Sequence, residues 1–152
     1  MSALLQRVAE ARVRIDGAVV GEIGAGVLAL VCAERGDEEA GAGRLVERML
    51  GLRMFADGAG RMNRSVRDVA GGVLIVPQFT LAADTRGGNR PGFSPAADPE
   101  RGRALYELVV ARARGAYPRV ATGRFGAHMQ VALVNDGPVT VWLRVDPPGG
   151  AG

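Results

Sequence analysis

"VALVNDGPVTVWLRV", residues 131–145, is the stretch on which the reading of the fold turns. Two runs that alternate like strands flank Asn135-Asp136-Gly137-Pro138. The pattern predicts a closing β-hairpin, because Asp-Gly alone makes a good two-residue hairpin turn. Pro138 is surplus to that turn. It has no N–H to give a ladder, and its ring locks φ. Two readings stay open at this point: ordinary turn punctuation, or a Gly-Pro pair shaped for a purpose.

Working back from that stretch, ATGRFGAHMQ (residues 121–130) leads into the hairpin, and Pro99 to Arg114 reads as a helix. Leu105, Leu108, Val109 and Arg112 recur there at helical spacing, with proline in the first turn. Residues 82–98 form an irregular loop rich in Gly, Pro and Arg. VLIVPQFTL (73–81) reads as a strong strand broken by a proline, and 55–72 as turns around a short strand. A first helix starts at Asp37-Glu38-Glu39 and carries Leu45, Met49 and Leu52 at helical spacing. At the N-terminus, Leu4 to Ile15 reads as an opening strand. Asp16-Gly17 turns it, Ala18 to Ile23 returns, and GAG at 24–26 turns again into the apolar run VLALVCA, an antiparallel meander. The fold class is α+β: a largely antiparallel, barrel-like sheet with two main helices. Residues 1–145 make a single domain, and 146–152 a flexible tail.

With 152 residues, the chain is long enough for one domain with a real core. No apolar run reaches the roughly 18 residues that a membrane span needs. Charge arrives early, at Arg7 and Glu10, which argues against a signal peptide. A cytoplasmic protein is expected. Net charge is +3, and every basic residue is arginine, so lysine chemistry is absent. Arginine suits planar phosphate contacts, which makes RNA a permissible partner. The densest cluster, Arg61, Arg64 and Arg67, reads first as a solvated loop. Cys32, the one cysteine, sits in an apolar run and reads as a small buried hydrophobe.

The inventory of reactive groups is poor. His128 is the one histidine, and it reads as a packed or surface residue. The serines, Ser2, Ser65 and Ser94, lie in no nucleophile elbow. No P-loop is present, and no ligand spacing suggests a metal; neither metal nor cofactor is expected. What stands out is PQFTLAAD, 77–84. Pro77 implies a strand end or bulge that frees backbone groups. Gln78 offers an amide, Thr80 a hydroxyl, and N–H groups around Phe79 could bind an oxyanion. The plain alternative is a strand ending in a polar turn.

Taken with the opening stretch, these residues resemble the D-aminoacyl-tRNA deacylase family. That family carries Ser-Gln-x-Thr and Asn-x-Gly-Pro-Val-Thr motifs, which here read Pro77-Gln78-Phe79-Thr80 and Asn135-Asp136-Gly137-Pro138-Val139-Thr140. LLQRV (4–8), GEIGAG (21–26), FTLAADTRGGNRPGF (79–93) and TGRFGAHMQV (122–131) also match, so the resemblance spans about residues 1–145.

The resemblance implies hydrolysis of the ester that joins a D-amino acid to the terminal adenosine of tRNA. It implies a homodimer in which a cis Gly137-Pro138 reaches into the partner's pocket and excludes L-amino acids. Gln78, Phe79 and Thr80 become the catalytic stretch, with Thr80 a positioning group rather than a nucleophile. Arg7 would orient the Gly-Pro carbonyls, Phe125 and Met129 would line the pocket unless they are plain core, and Pro91 would meet the adenosine. Glycyl-tRNA, including glycine mischarged on the alanine tRNA, should be accepted, since glycine has no side chain to clash. Two departures stand out: Pro77 and Gly92 occupy positions where serine is usual. A related branch with Pro-Gln-x-Thr removes certain L-amino acids from mismatched tRNA and remains an alternative. So does a non-catalytic tRNA-binding module.

Overall fold

β1 (Ser2–Ile15) organises the sheet. Asp16 and Gly17 both have positive φ, the geometry of a tight hairpin turn, and β2 (Ala18–Ile23) returns antiparallel along β1. β3 (Gly26–Cys32) does not reverse again. It continues along the same edge of β1, pairing Gly26 with Val8 through Cys32 with Ser2. The expected meander is therefore one long hairpin arm. Gly24 and Ala25 interrupt the arm without changing its direction. A strand already aligned with β1 gains more ladder bonds by continuing than by turning back.

The computed structural model describes residues 1–149. After β3 come α1 (Glu39–Gly51), β4 (Phe55–Ala56), β5 (Met62–Arg64), β6 (Gly72–Pro77), a 3-10 turn (Phe79–Ala82), α2 (Pro99–Ala116), β7 (Val120–Thr122) and β8 (Gln130–Arg144). The strand expected over 73–81 thus ends at Pro77, where the missing N–H ends the ladder. β4 and β5 form a separate small hairpin.

The closing hairpin is not formed. β8 is a single strand, and both of its halves pair antiparallel with β1. Thr140 to Arg144 oppose Gln6 to Ser2, and Gln130 to Asn135 oppose Arg14 to Val8. Asp136 to Val139 bulge out opposite Arg7. The turn residues break the ladder, but the strand resumes in the same direction because β1 is long enough to pair with both halves. The Gly137–Pro138 peptide is cis, the form implied by the resemblance.

β6 pairs parallel with β3, and β7 parallel with β6, so the sheet is mixed. β2 comes alongside β7, which nearly closes a barrel. The architecture is α+β, as the patterning implies. β3 and β6 are buried on both faces. Val27, Ala29, Val31, Val73 and Ile75 face a core completed by Leu45, Met49 and Leu50 of α1 and by Leu105 and Val109 of α2. Leu28, Leu74 and Val76 point the other way and pack with Val8, Ala11 and Val13 of β1. This alternation with period two gives each strand an apolar set for each side. Asp98 caps α2 by accepting the Arg101 N–H at 3.0 Å, with Pro99 in the first turn. Of the segment 146–152, the Asp146 carbonyl accepts from Arg44 at 3.1 Å, and residues 150–152 lie outside the described residues. No helix among the described residues is long and apolar enough to cross a membrane.

Candidate active site

The parallel β3–β6 pair ends at Val31 and Pro77, and the Gln78 N–H makes the last bond, to the Val31 carbonyl at 2.8 Å. The chain then tightens into the 3-10 turn. The Phe79 and Thr80 N–H groups lead that turn and donate to no acceptor among the described residues. Gln78 Nε2 donates to Thr80 Oγ1. The amide therefore holds the hydroxyl oxygen, which leaves the hydroxyl proton free to donate outward.

Beside this turn lies a cavity of about 500 Å³. Gln78 and Phe79 line it, with Phe125 and Met129 from the segment between β7 and β8. Phe125 packs 6.1 Å from Tyr106, ring centre to ring centre. Met129 fits because Gly123 has no side chain: a Cβ there would sit 2.7 Å from the Met129 sulfur. Phe93 meets Phe79 edge-on at 5.1 Å and brings the 82–98 loop to the rim. Within that loop, Pro91 is exposed, next to Gly92, whose backbone exchanges hydrogen bonds with that of Asp84 at 2.7 and 2.9 Å. Thr80 and Pro91 stand outside the cavity lining itself.

The cavity walls are mostly apolar. Cys32 lines it with its thiol pushed up to about 11 by burial, reinforced by the nearby Glu34 carboxylate. Its Sγ lies 3.6 Å from the Phe79 carbonyl, within reach of a weak hydrogen bond. Burial also pushes Tyr106 up, and its hydroxyl donates to the Ile75 carbonyl at 2.9 Å. No carboxylate lines the cavity among the described residues.

Arg7, Gly137 and Pro138 lie elsewhere. Arg7 Nε donates to the Asp136 carbonyl at 2.9 Å and Nη1 to the Met54 carbonyl at 2.8 Å. It therefore grips the peptide just before Gly137, where the resemblance implied a hold on the Gly-Pro carbonyls. Asn135 Nδ2 closes the neck of the bulge, donating to the carbonyls of Arg7 and Val139 at 2.9 and 3.0 Å. Along the sheet, Arg7 is level with Val27 and Val73, while Pro77 is level with Val31 and Ala3. The bulge is thus four residues and three strand spacings from Pro77, roughly 20 Å along the sheet.

The model of the D-Tyr-tRNA(Tyr) deacylase family matches residues 4–144. The D-aminoacyl-tRNA deacylase of Paracidovorax citrulli is 66% identical over 149 residues, covering 98% of this chain and 96% of that protein. That of an Azoarcus species is 65% identical over 151 residues, covering 99% and 100%. The chain belongs to the D-aminoacyl-tRNA deacylase family. It is accordingly an enzyme, a hydrolase. A solved structure described as a c-Myc DNA unwinding element binding protein superposes with a TM-score of 0.91 at 35% identity, covering 96% of this chain and 99% of that one. A probable eukaryotic D-amino acid tRNA deacylase superposes with a TM-score of 0.80 at 18% identity, covering 93% and 97%, and shares the fold.

In this deacylase, sequence reasoning missed several cavity residues, among them Tyr106, Cys32 and His128. Tyr106 reads in the sequence as an ordinary helix residue, although its one-turn spacing from Gly102, also in the lining, was a usable signal. Cys32 and His128 were set aside as packing and surface, yet both line the cavity. Both readings of their surroundings hold nonetheless: Cys32 is buried and His128 exposed.

Proposed function

We propose that this protein hydrolyses the ester of D-aminoacyl-tRNA as a homodimer, each pocket completed by the Gly137–Pro138 bulge of the second copy. One observation carries the proposal: the bulge and the cavity, which together match the family's two motifs, lie on separate parts of one chain. A second copy reunites them. Among the described residues the cavity also offers no carboxylate to an α-ammonium group, and the bulge presents backbone carbonyls suited to one.

The chemistry asks little of side chains. An aminoacyl ester is already activated. Water adds to its carbonyl carbon, negative charge collects on the carbonyl oxygen, and the Phe79 and Thr80 N–H groups are suited to receive it. The C–O bond to the ribose then breaks. The neighbouring ribose hydroxyl gives its proton to the leaving oxygen and takes one in turn from the attacking water, giving free amino acid and tRNA. Thr80 positions the ester; among the described residues its hydroxyl is paired with Gln78 and with no base.

D and L isomers exchange hydrogen and side chain at Cα. A rigid wall there rejects L by clash while leaving the D side chain untouched. Glycine passes the same wall, including glycine mischarged on the alanine tRNA. Pro77, in place of serine, favours a second reading, a deacylase of the L-permissive branch.

Hydrolysis of matched D-, L- and glycyl-tRNA over time tests all of this. The D and glycyl esters are expected to be cleaved and the L ester spared. Fast L cleavage would select the second reading, and tRNA binding without turnover would leave only an RNA-binding module. Light scattering checks the dimer, with a mass near twice 15.8 kDa expected.

A further inference from the structure

A second groove, about 500 Å³, lies against the far side of the active cavity's wall. Tyr106 and Phe125 line both spaces. One side of the groove is a stripe of α2 that includes Arg103, Glu107 and Arg114, and the other includes Arg124, just after β7. Arg103 and Arg114 are eleven residues apart, just over three full turns, so both point the same way. The stripe runs about 16 Å at 1.5 Å per residue. Three guanidinium groups against one carboxylate leave the groove cationic. Arg103 and Glu107 approach within 3.8 Å, but both are more than half exposed, so the pair is weak and readily exchanged. Arg103 also stacks over the Phe125 ring, 5.0 Å from its centre, which sets a cation on the shared wall.

We infer that this groove binds the phosphodiester backbone of the RNA strand that leads into the active cavity. The inference rests on the proposed function: if the terminal nucleoside sits at the cavity, the preceding nucleotides leave past its wall, and each carries a phosphate. Planar, permanently charged guanidinium groups match such oxygens in pairs. The contact is blind to base identity, so it serves any tRNA and adds affinity without affecting the choice between D and L.

The test compares two esters of the same D-amino acid, one on tRNA and one on free adenosine, which has no phosphate. Arg114→Ala/Arg124→Ala and Arg114→Glu/Arg124→Glu are measured on both, alongside binding of uncharged tRNA. Charge reversal is expected to raise KM for the tRNA ester at least tenfold more than for the adenosine ester. The alanine pair should weaken uncharged tRNA binding and flatten its salt dependence by about 1.4 in logarithmic slope, at about 0.7 per phosphate contact. Equal losses on both esters, or unchanged tRNA affinity and salt slope, would overturn the groove assignment while leaving the deacylase reading intact. Absence of wild-type turnover on either ester would instead overturn the deacylase reading and the groove's role with it.

Discussion

Arg7 and Asn135 clasp each other across the β1–β8 ladder. The Asn135 amide donates to the Arg7 carbonyl at 2.9 Å, and the Arg7 guanidinium donates to the Asp136 carbonyl at 2.9 Å. Between them they hold both ends of the bulge that carries Gly137–Pro138. The backbone there has left the β1 ladder, so side chains supply the bonds the ladder would have made.

Removing the clasp should therefore loosen the bulge before it unfolds the protein. Asn135→Ala strips two hydrogen bonds and leaves two carbonyls unpaired, at a cost of about 1–3 kcal/mol. Urea melts give that cost. On the proposed mechanism, cleavage of the L ester should rise relative to the D ester, because the wall at Cα becomes soft. An unchanged D to L ratio in a folded variant would detach the bulge from chiral selection.

Gly137 has φ +136, and a Cβ there would lie 2.8 Å from Val139 Cγ2 and 3.0 Å from an Arg7 guanidinium nitrogen. Gly137→Ala thus meets both an unfavourable backbone region and a crowded site. A loss of about 1–3 kcal/mol is expected from the backbone alone. D-ester turnover should fall even where thermal melts show the variant folded. A variant of wild-type activity would mean that the bulge geometry does not matter to catalysis.

Thr80→Val keeps the turn backbone and loses the hydroxyl. A lost nucleophile costs on the order of 10⁴- to 10⁶-fold in kcat. A positioning group should cost less than about a hundredfold, with KM carrying part of the change. His128→Ala, at the cavity mouth, should stay above the roughly hundredfold drop expected for a lost general base. A collapse in kcat for either variant, measured by single-turnover hydrolysis, would replace the backbone mechanism with a side-chain one.

Cys32 supplies a pH signature. Its thiol is raised from 9.0 to about 11 in the folded state, so the unfolded chain loses that proton first as pH rises. The contribution of the buried neutral thiol is complete below about pH 9 and is lost as pH climbs toward 11. Wild type should lose more stability than Cys32→Ala between pH 8 and 10.5 in paired urea melts. At neutral pH the thiol should react slowly with alkylating reagents, since the thiolate is the reactive form.

Much of the framework was legible in the sequence. The alternating stretches of β1, the continuous apolar run of β3 and the helical spacing of Leu45, Met49, Leu105 and Val109 report burial directly, because each side chain's direction follows from local backbone geometry. GAG at 24–26 and NDGP at 135–138 were legible only in part. Both stretches break a ladder, as their residues imply, yet neither reverses the chain. Whether a strand turns back or resumes depends on the partner beside it, and here that partner is the long β1.

The sequence by itself determined the two motifs, the poverty of nucleophiles and the family, because these reside in residue identity and order. Only the tertiary structure decided where the motifs stand. The parallel β3–β6–β7 pairing gathers Gln78, Phe79, Phe125 and Met129 around one cavity. The antiparallel β1–β8 pairing holds Gly137 and Pro138 outside that cavity, level with Arg7. Such pairings are chosen by contacts distant in sequence, and no local pattern encodes them.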